Sequence, residues 1–226
     1  MSSPTRSGTY EKVLQSSLEL FVARGFGGTG IRDIATAAGL KTSGLYHYMN
    51  KKEDLLLDII ERGLTASIEA ANETIAGEAD AAKRIAMLTS SAVVLHAEYR
   101  RAYLVIDNEF HFLYGETLSG VKKLRDAIDL IWKEALQAGV DQGTFTLIDQ
   151  GVVRLALLSM CRGVADWYTP TGEHSVPELA TKISALALAL VGVEHDRIQE
   201  CVPAADSWLM RRIVHIVHST HADVPH

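Results

Sequence analysis

Apolar residues recur at steps of three and four along most of the chain, the period of helices with one buried face. Val13, Leu14, Leu18, Phe21 and Val22 make one such face, and no strand-like alternation stands out elsewhere. The glycines Gly25, Gly27, Gly28 and Gly30 end this first helix, since glycine accepts the left-handed backbone that helix C-termini often need. Ile31, Ile34, Ala35 and Ala38 predict a short second helix with Thr29 as its N-cap, followed by a turn at Gly39 and Leu40. A third short helix is expected over Thr42 to Met49, burying Leu45 and Met49. Asn50 and Glu53 have the spacing of a capping box, which opens a long helix from Lys51 to about Asn72. Further helices are expected over Ala81–Tyr99, Arg101–Tyr114, Gly120–Ala138, Asp149–Trp167, Val176–Val193 and Asp206–His218. The fold class is therefore all-α, with a boundary placed between residues 55 and 56.

Charge adds a direction to this pattern. The chain of 226 residues is 47% hydrophobic and 22% charged with a formal net charge of −6, ordinary for a globular protein. Yet residues 1–52 hold seven Lys and Arg against three Asp and Glu, leaving fifteen against twenty-five for the remainder. A positive end on an acidic body suggests an anion-binding segment attached to a body with another task. The stretch MSSPTRSGTYEK has no apolar core of a leader peptide, and no apolar run reaches membrane-spanning length. Cys161 and Cys201 show neither metal nor redox spacing. A cytoplasmic protein is expected.

Two helices joined by a short glycine-containing turn form a helix-turn-helix, whose second helix enters the DNA major groove. Such a helix needs short hydrogen-bonding side chains near its start and donors or cations at its flanks. Lys41, Thr42, Ser43 and His47 supply the first, and Tyr46, Tyr48, Lys51 and Lys52 the second.

The stretch LELFVARGFGGTGIRDIATAAGLKTSGLYHYMNKKEDLL resembles the DNA-binding domain of TetR-family transcriptional regulators. That resemblance implies a homodimer of helical subunits, bound to a double-stranded DNA operator and released by a small effector. It places Thr42, Ser43 and His47 where the family reads bases, and Thr29, Tyr46 and Lys52 where it contacts phosphate. Gly30, Lys41 and Met49 depart from the commoner family residues. The stretch VADWYTPTGEHSVPELATKISALALALVGV is similar, more loosely, to regulators of fatty-acid and steroid breakdown that answer to acyl-CoA thioesters. An apolar effector is implied, an acyl-CoA thioester among the choices.

In the body, residues 151–168 and 178–193 are candidates for a dimer interface, because Ala185, Ala187, Ala189 and Leu190 carry more apolar surface than one buried face requires. His96, Tyr99, Tyr103, Phe110, His111 and Tyr114, with Trp132, Met160 and Trp167, are candidates to wall an effector cavity, core packing being the alternative for each. Arg100 and Arg101 suit either an anionic group or solvent. His215, His218 and His221 recur every three residues, but lie without an obvious carboxylate or thiolate, so packing of the last helix is preferred over a metal site. Neither a metal nor a cofactor is expected. The chain lacks a G-x-S-x-G elbow, a phosphate loop and an H-E-x-x-H pair, which argues against an enzyme. A constitutive DNA-binding protein without a ligand switch stays open as the second reading.

Overall fold

A computed structural model describes residues 8–226. The stretch Met1–Ser7, part of the segment expected to lack a leader, lies outside them. Within the described residues the secondary structure is helical: α1 Gly8–Arg24, α2 Ile31–Ala37, α3 Thr42–Leu45, α4 Lys52–Ile75, α5 Ala81–Glu98, α6 Arg100–Asn108, α7 Gly115–Asp141, α8 Gln150–Arg162, α9 Val164–Trp167, α10 Val176–Leu190, α11 His195–Cys201 and α12 Trp208–Thr220. A 3-10 turn over Phe110–Phe112 follows α6.

The chain divides into two compact units. The first runs through Gly63 and adds Arg101–Lys123 and Asp223–His226, and the second comprises Leu64–Arg100 and Leu124–Ala222. The expected boundary at residues 55 and 56 falls inside α4, which continues unbroken to Ile75.

In the first unit, α1 buries Val13, Leu14, Leu18 and Phe21, while α2 contributes Ile34 and Ala35 and α3 contributes Leu45. Each fully buried Leu, Ile or Phe adds about 1.5 to 3 kcal/mol of apolar transfer. Gly39 at φ +73 makes the α2–α3 turn possible, and the amides of Gly39 and Leu40 donate back to Thr36 and Ala35. Three local expectations are corrected. Gly30, not Thr29, caps α2, with the Asp33 carboxylate accepting the Gly30 amide at 3.0 Å. Asp54 rather than Glu53 accepts the amides of Asn50 and Lys51. The third helix ends at Leu45 and the chain turns through Tyr46–Tyr48, so Met49 is buried from just beyond the turn, not from a helix.

The second unit is built around α5. Fourteen of its eighteen residues are buried, which marks a central helix covered on all sides. It packs most extensively on α10 and also meets α8, α9, α11 and α12. The Ser90 and Ser184 hydroxyls bond at 2.8 Å where α5 and α10 cross, and Ser184 donates onward to the Ala86 carbonyl, so the buried polar pair is satisfied. Gly163 interrupts the helix expected over 149–167 into α8 and α9.

Candidate nucleic-acid interface

The surface of the helix-turn-helix is set by what the core leaves over. With Leu45 and Met49 turned inward, Lys41, Ser43, Tyr46 and His47 stand exposed, and Thr42 is half-buried. Gly44 has open space where a side chain would project, so the α3 backbone is unobstructed at mid-helix. The structure thus brings Lys41, Thr42, Ser43, Tyr46 and His47 onto one accessible face. These are groups able to offer hydroxyl, imidazole and ammonium hydrogen bonds to base edges and phosphates.

The flanking residues divide differently from the expectation. Lys51 is exposed, its ammonium 3.4 Å from the Tyr114 hydroxyl and 5.0 Å from the ring centroid. Tyr48 is half-buried against Tyr10, with ring centroids 6.3 Å apart. Thr29, expected at a phosphate, is buried at 2% exposure, and its hydroxyl donates to the Gly25 carbonyl at 2.9 Å and the Leu20 carbonyl at 3.3 Å. Lys52, also expected there, is half-buried. Its ammonium donates to the carbonyls of Phe26 at 2.5 Å and Thr29 at 2.7 Å and lies 4.1 Å from the Phe26 ring centroid. Both side chains bond carbonyls of the α1–α2 turn and so help to close it.

Phe26 is the centre of that turn. Phe21 packs on it at 5.2 Å and Phe112 at 4.9 Å, and the Glu109 carboxylate accepts its amide at 3.3 Å. Sequence reading missed a second knot, around Arg62. Its guanidinium meets Glu11 at 2.8 and 3.0 Å and Asp58 at 3.1 Å, while the Tyr10 hydroxyl donates to Asp58 at 2.8 Å. Burial disfavours the charged Arg62, but the bonds to Glu11 and the field of Asp58 outweigh it and raise its pKa. The i,i+4 spacing of Asp58 and Arg62 was a readable sign of a helix-face pair, although the tie to α1 was not.

The nine residues expected to wall an effector cavity are divided between the two units. Tyr103, Phe110, His111 and Tyr114 belong to the first unit, whereas His96, Tyr99, Trp132, Met160 and Trp167 belong to the second. Tyr103 is buried and donates to the Gly63 carbonyl at 2.8 Å; His111 stacks on Phe112; Tyr114 is exposed. In the second unit His96 bonds the Ala92 carbonyl, Trp132 is a core residue, and Met160 is half-buried. Tyr99 packs on His221 at 4.8 Å, and burial followed by the nearby Glu98 raises its phenol pKa. Trp167 lines an open groove of about 240 Å³, together with Tyr168, His174 and Leu179 among others. Arg100 donates to the Ala165 carbonyl at 2.6 Å, and Arg101 is exposed.

His215 and His218 face solvent while His221 is buried and bonded to the Val217 carbonyl at 2.9 Å. Among the described residues, no group of three or more His, Cys, Asp or Glu is placed to share a metal, and no helix is long and apolar enough to cross a membrane.

Residues 13–59 match the family model for bacterial regulatory proteins of the tetR family, and residues 78–191 match that for the tetracyclin repressor-like C-terminal domain. The chain is 26% identical over 193 residues to the HTH-type transcriptional repressor KstR2 of Rhodococcus jostii (strain RHA1), covering 84% of this chain and 95% of the relative. A crystal structure of a bacterial regulatory protein in the tetR family from Rhodococcus RHA1 superposes with a TM-score of 0.79 at 24% identity, over 84% of this chain and 100% of that one. AibR, solved in complex with isovaleryl coenzyme A and operator DNA, superposes with a TM-score of 0.73 at 23% identity, over 80% of this chain and 98% of that one. At these identities the two structures establish the shared fold.

Proposed function

This chain belongs to the TetR family of bacterial transcriptional regulators, and we propose that it represses transcription in the cytoplasm as a homodimer, leaving a palindromic operator when a small apolar effector binds its second unit. The observation that carries this reading is the α3 face, where Lys41, Ser43, Tyr46 and His47 are exposed on a helix held from behind by Leu45. In it, Thr42, Ser43 and His47 read bases, Tyr46 and Lys51 hold phosphates, and Lys52 and Thr29 shape the turn behind them.

Dimerisation is supported by the apolar surface of α8 and α10, which meet within the second unit. Val152 and Leu155 on α8, and Leu186 and Leu190 on α10, are between 45% and 65% exposed at three- and four-residue steps. A two-fold copy of this pair would bury both stripes in a four-helix bundle. Leu186→Asp should therefore convert a dimer into monomers in sedimentation velocity. A wild-type chain that sediments as a monomer would refute the dimer.

For the effector, the fold shared with AibR, solved with isovaleryl coenzyme A, supports an acyl-CoA thioester. The switch requires the thioester to bind the DNA-free conformation more tightly than the DNA-bound one. Titrating short-chain, long-chain and steroid-derived acyl-CoA thioesters into the protein–operator complex, followed by fluorescence anisotropy, tests it. Release by one class and not by free coenzyme A is expected. Operator affinity indifferent to all of them would favour a constitutive DNA-binding protein, and turnover of a thioester would favour an enzyme.

A further inference from the structure

Tyr114, expected at a cavity wall, is 63% exposed and takes no part in the core of the first unit. The turn that carries it is fixed on both sides. Before it, the Phe112 and Leu113 amides donate to the Glu109 and Phe110 carbonyls at 3.1 and 3.0 Å, and Phe112 lies on Phe26. Leu113 is buried with an extended backbone at φ −84 and ψ 151. Along extended backbone successive side chains point to opposite sides, so burying Leu113 turns Tyr114 outward. After it, Gly115 at φ +59 opens α7, and the Thr117 hydroxyl donates to the Tyr114 carbonyl at 2.7 Å. A braced turn outside the helix-turn-helix thus presents an exposed phenol.

That phenol meets Lys51, which stands between the turn after α3 and the start of α4 in the same unit. The Lys51 ammonium donates to the phenol oxygen at 3.4 Å, long for such a bond, so little is lost when it gives way to a stronger acceptor. Among the described residues the phenol itself donates to no acceptor, and the Lys51 ammonium is not taken by carbonyls as that of Lys52 is. Two donors 3.4 Å apart can both reach oxygens of one tetrahedral anion, each bond being about 2.7 to 3.0 Å long. We infer that Lys51 and Tyr114 hold one DNA backbone phosphate between them, the tyrosine adding a contact from beyond the helix-turn-helix. This rests on the operator-binding reading above, in which Lys51 alone was given that phosphate. The backbone is the partner because the pair stands at the start of α4, apart from the groups on α3 that read bases, and lysine and tyrosine donors serve phosphates whatever the sequence.

The test follows fluorescence anisotropy of a duplex selected from a random DNA pool, and of an unrelated duplex, with the wild type, Tyr114→Phe, Lys51→Ala and the double variant. Phenylalanine keeps the ring beside the ammonium and removes only the hydroxyl, and at so exposed a position folding is not at stake. Tyr114→Phe should weaken binding to both duplexes about three- to tenfold, the scale of one hydrogen bond, with the salt slope kept because the phenol is neutral. In the Lys51→Ala background the same replacement should cost less than about twofold, since the two donors act on one group. Duplexes with one phosphate at a time replaced by a neutral methylphosphonate then locate the contact. The position that erases the Lys51→Ala loss should also erase the Tyr114→Phe loss. Wild-type affinity in Tyr114→Phe, losses that simply multiply in the double variant, or losses erased at different positions would each overturn the shared phosphate. A wild type that binds no duplex would remove the operator reading and this contact with it, whereas a bound wild type with an indifferent Tyr114→Phe removes the contact alone.

Discussion

Lys52→Met separates a lysine that contacts DNA from one that builds the DNA-binding unit. The methionine keeps the apolar stem and removes the ammonium, along with its bonds to Phe26 and Thr29 and its place over the Phe26 ring. Hydrogen bonds to a charged group contribute about 1.5 to 3 kcal/mol each, and the lower end suits a half-buried one. A partly exposed cation–π contact adds about 0.5 kcal/mol. The sum is about 3.5 kcal/mol, against about 0.5 kcal/mol for an ordinary surface substitution. Amides of the α1–α2 turn and α2 should therefore exchange about three hundredfold faster in the mutant, since each 1.4 kcal/mol is a factor of ten. Tryptophan fluorescence would miss the change, because Trp132, Trp167 and Trp208 all lie in the second unit. The salt dependence of operator binding should keep its slope in Lys52→Met and lose about one unit in Lys51→Ala. Unaltered exchange together with a flattened slope in the Lys52 mutant would refute this account and return Lys52 to the phosphates.

His47→Ala should change which base is preferred at one position per half-site, by about 1 to 3 kcal/mol, when affinities for single-base operator variants are measured. Gly139→Ala should destabilise the second unit by about 1 to 3 kcal/mol in urea, read by tryptophan fluorescence, because a Cβ there would collide with the Phe145 ring. Cys161 has its thiol pushed up to about 12 by complete burial, so at pH 8 about one molecule in ten thousand carries the thiolate. It should resist thiol reagents until the protein unfolds. The unfolded thiol loses its proton near pH 9 while the folded one keeps it, so this group lowers stability as pH rises from about 9 to 12. Denaturant midpoints of wild type and Cys161→Ala across that range should converge if the sign is right.

The helical pattern carried most of the fold, since period together with capping, glycine and proline signals located α4, α5, α10 and α12 to within a few residues. It missed α11 because His195–Cys201 buries only Ile198 and Cys201, too few apolar positions to show a period. Gly163 and the Glu109–Tyr114 turn broke helices that hydrophobic spacing ran through. Residue type alone predicted the exposed α3 face. It gave no sign that the Thr29 hydroxyl and the Lys52 ammonium bond carbonyls of the α1–α2 turn, because a threonine or lysine reads the same whatever its donor meets. The residues from His96 to Tyr114 were expected to wall a cavity because the family uses those helices for it, with core packing as the alternative for each, and sequence carried no sign that the chain between α5 and α7 passes from one unit to the other. Arg62's role depended on a segment more than 150 positions away, at the Asp223 carbonyl.

The most direct test of the central claim is selection of bound duplexes from a random DNA pool by the wild-type protein at moderate salt. Enrichment of a palindrome with half-sites about one helical turn apart or a multiple of it is expected, with the strongest base preferences lost in a variant carrying Ser43→Ala and His47→Ala. A folded dimer that enriches no sequence would contradict the assignment of the α3 face to DNA.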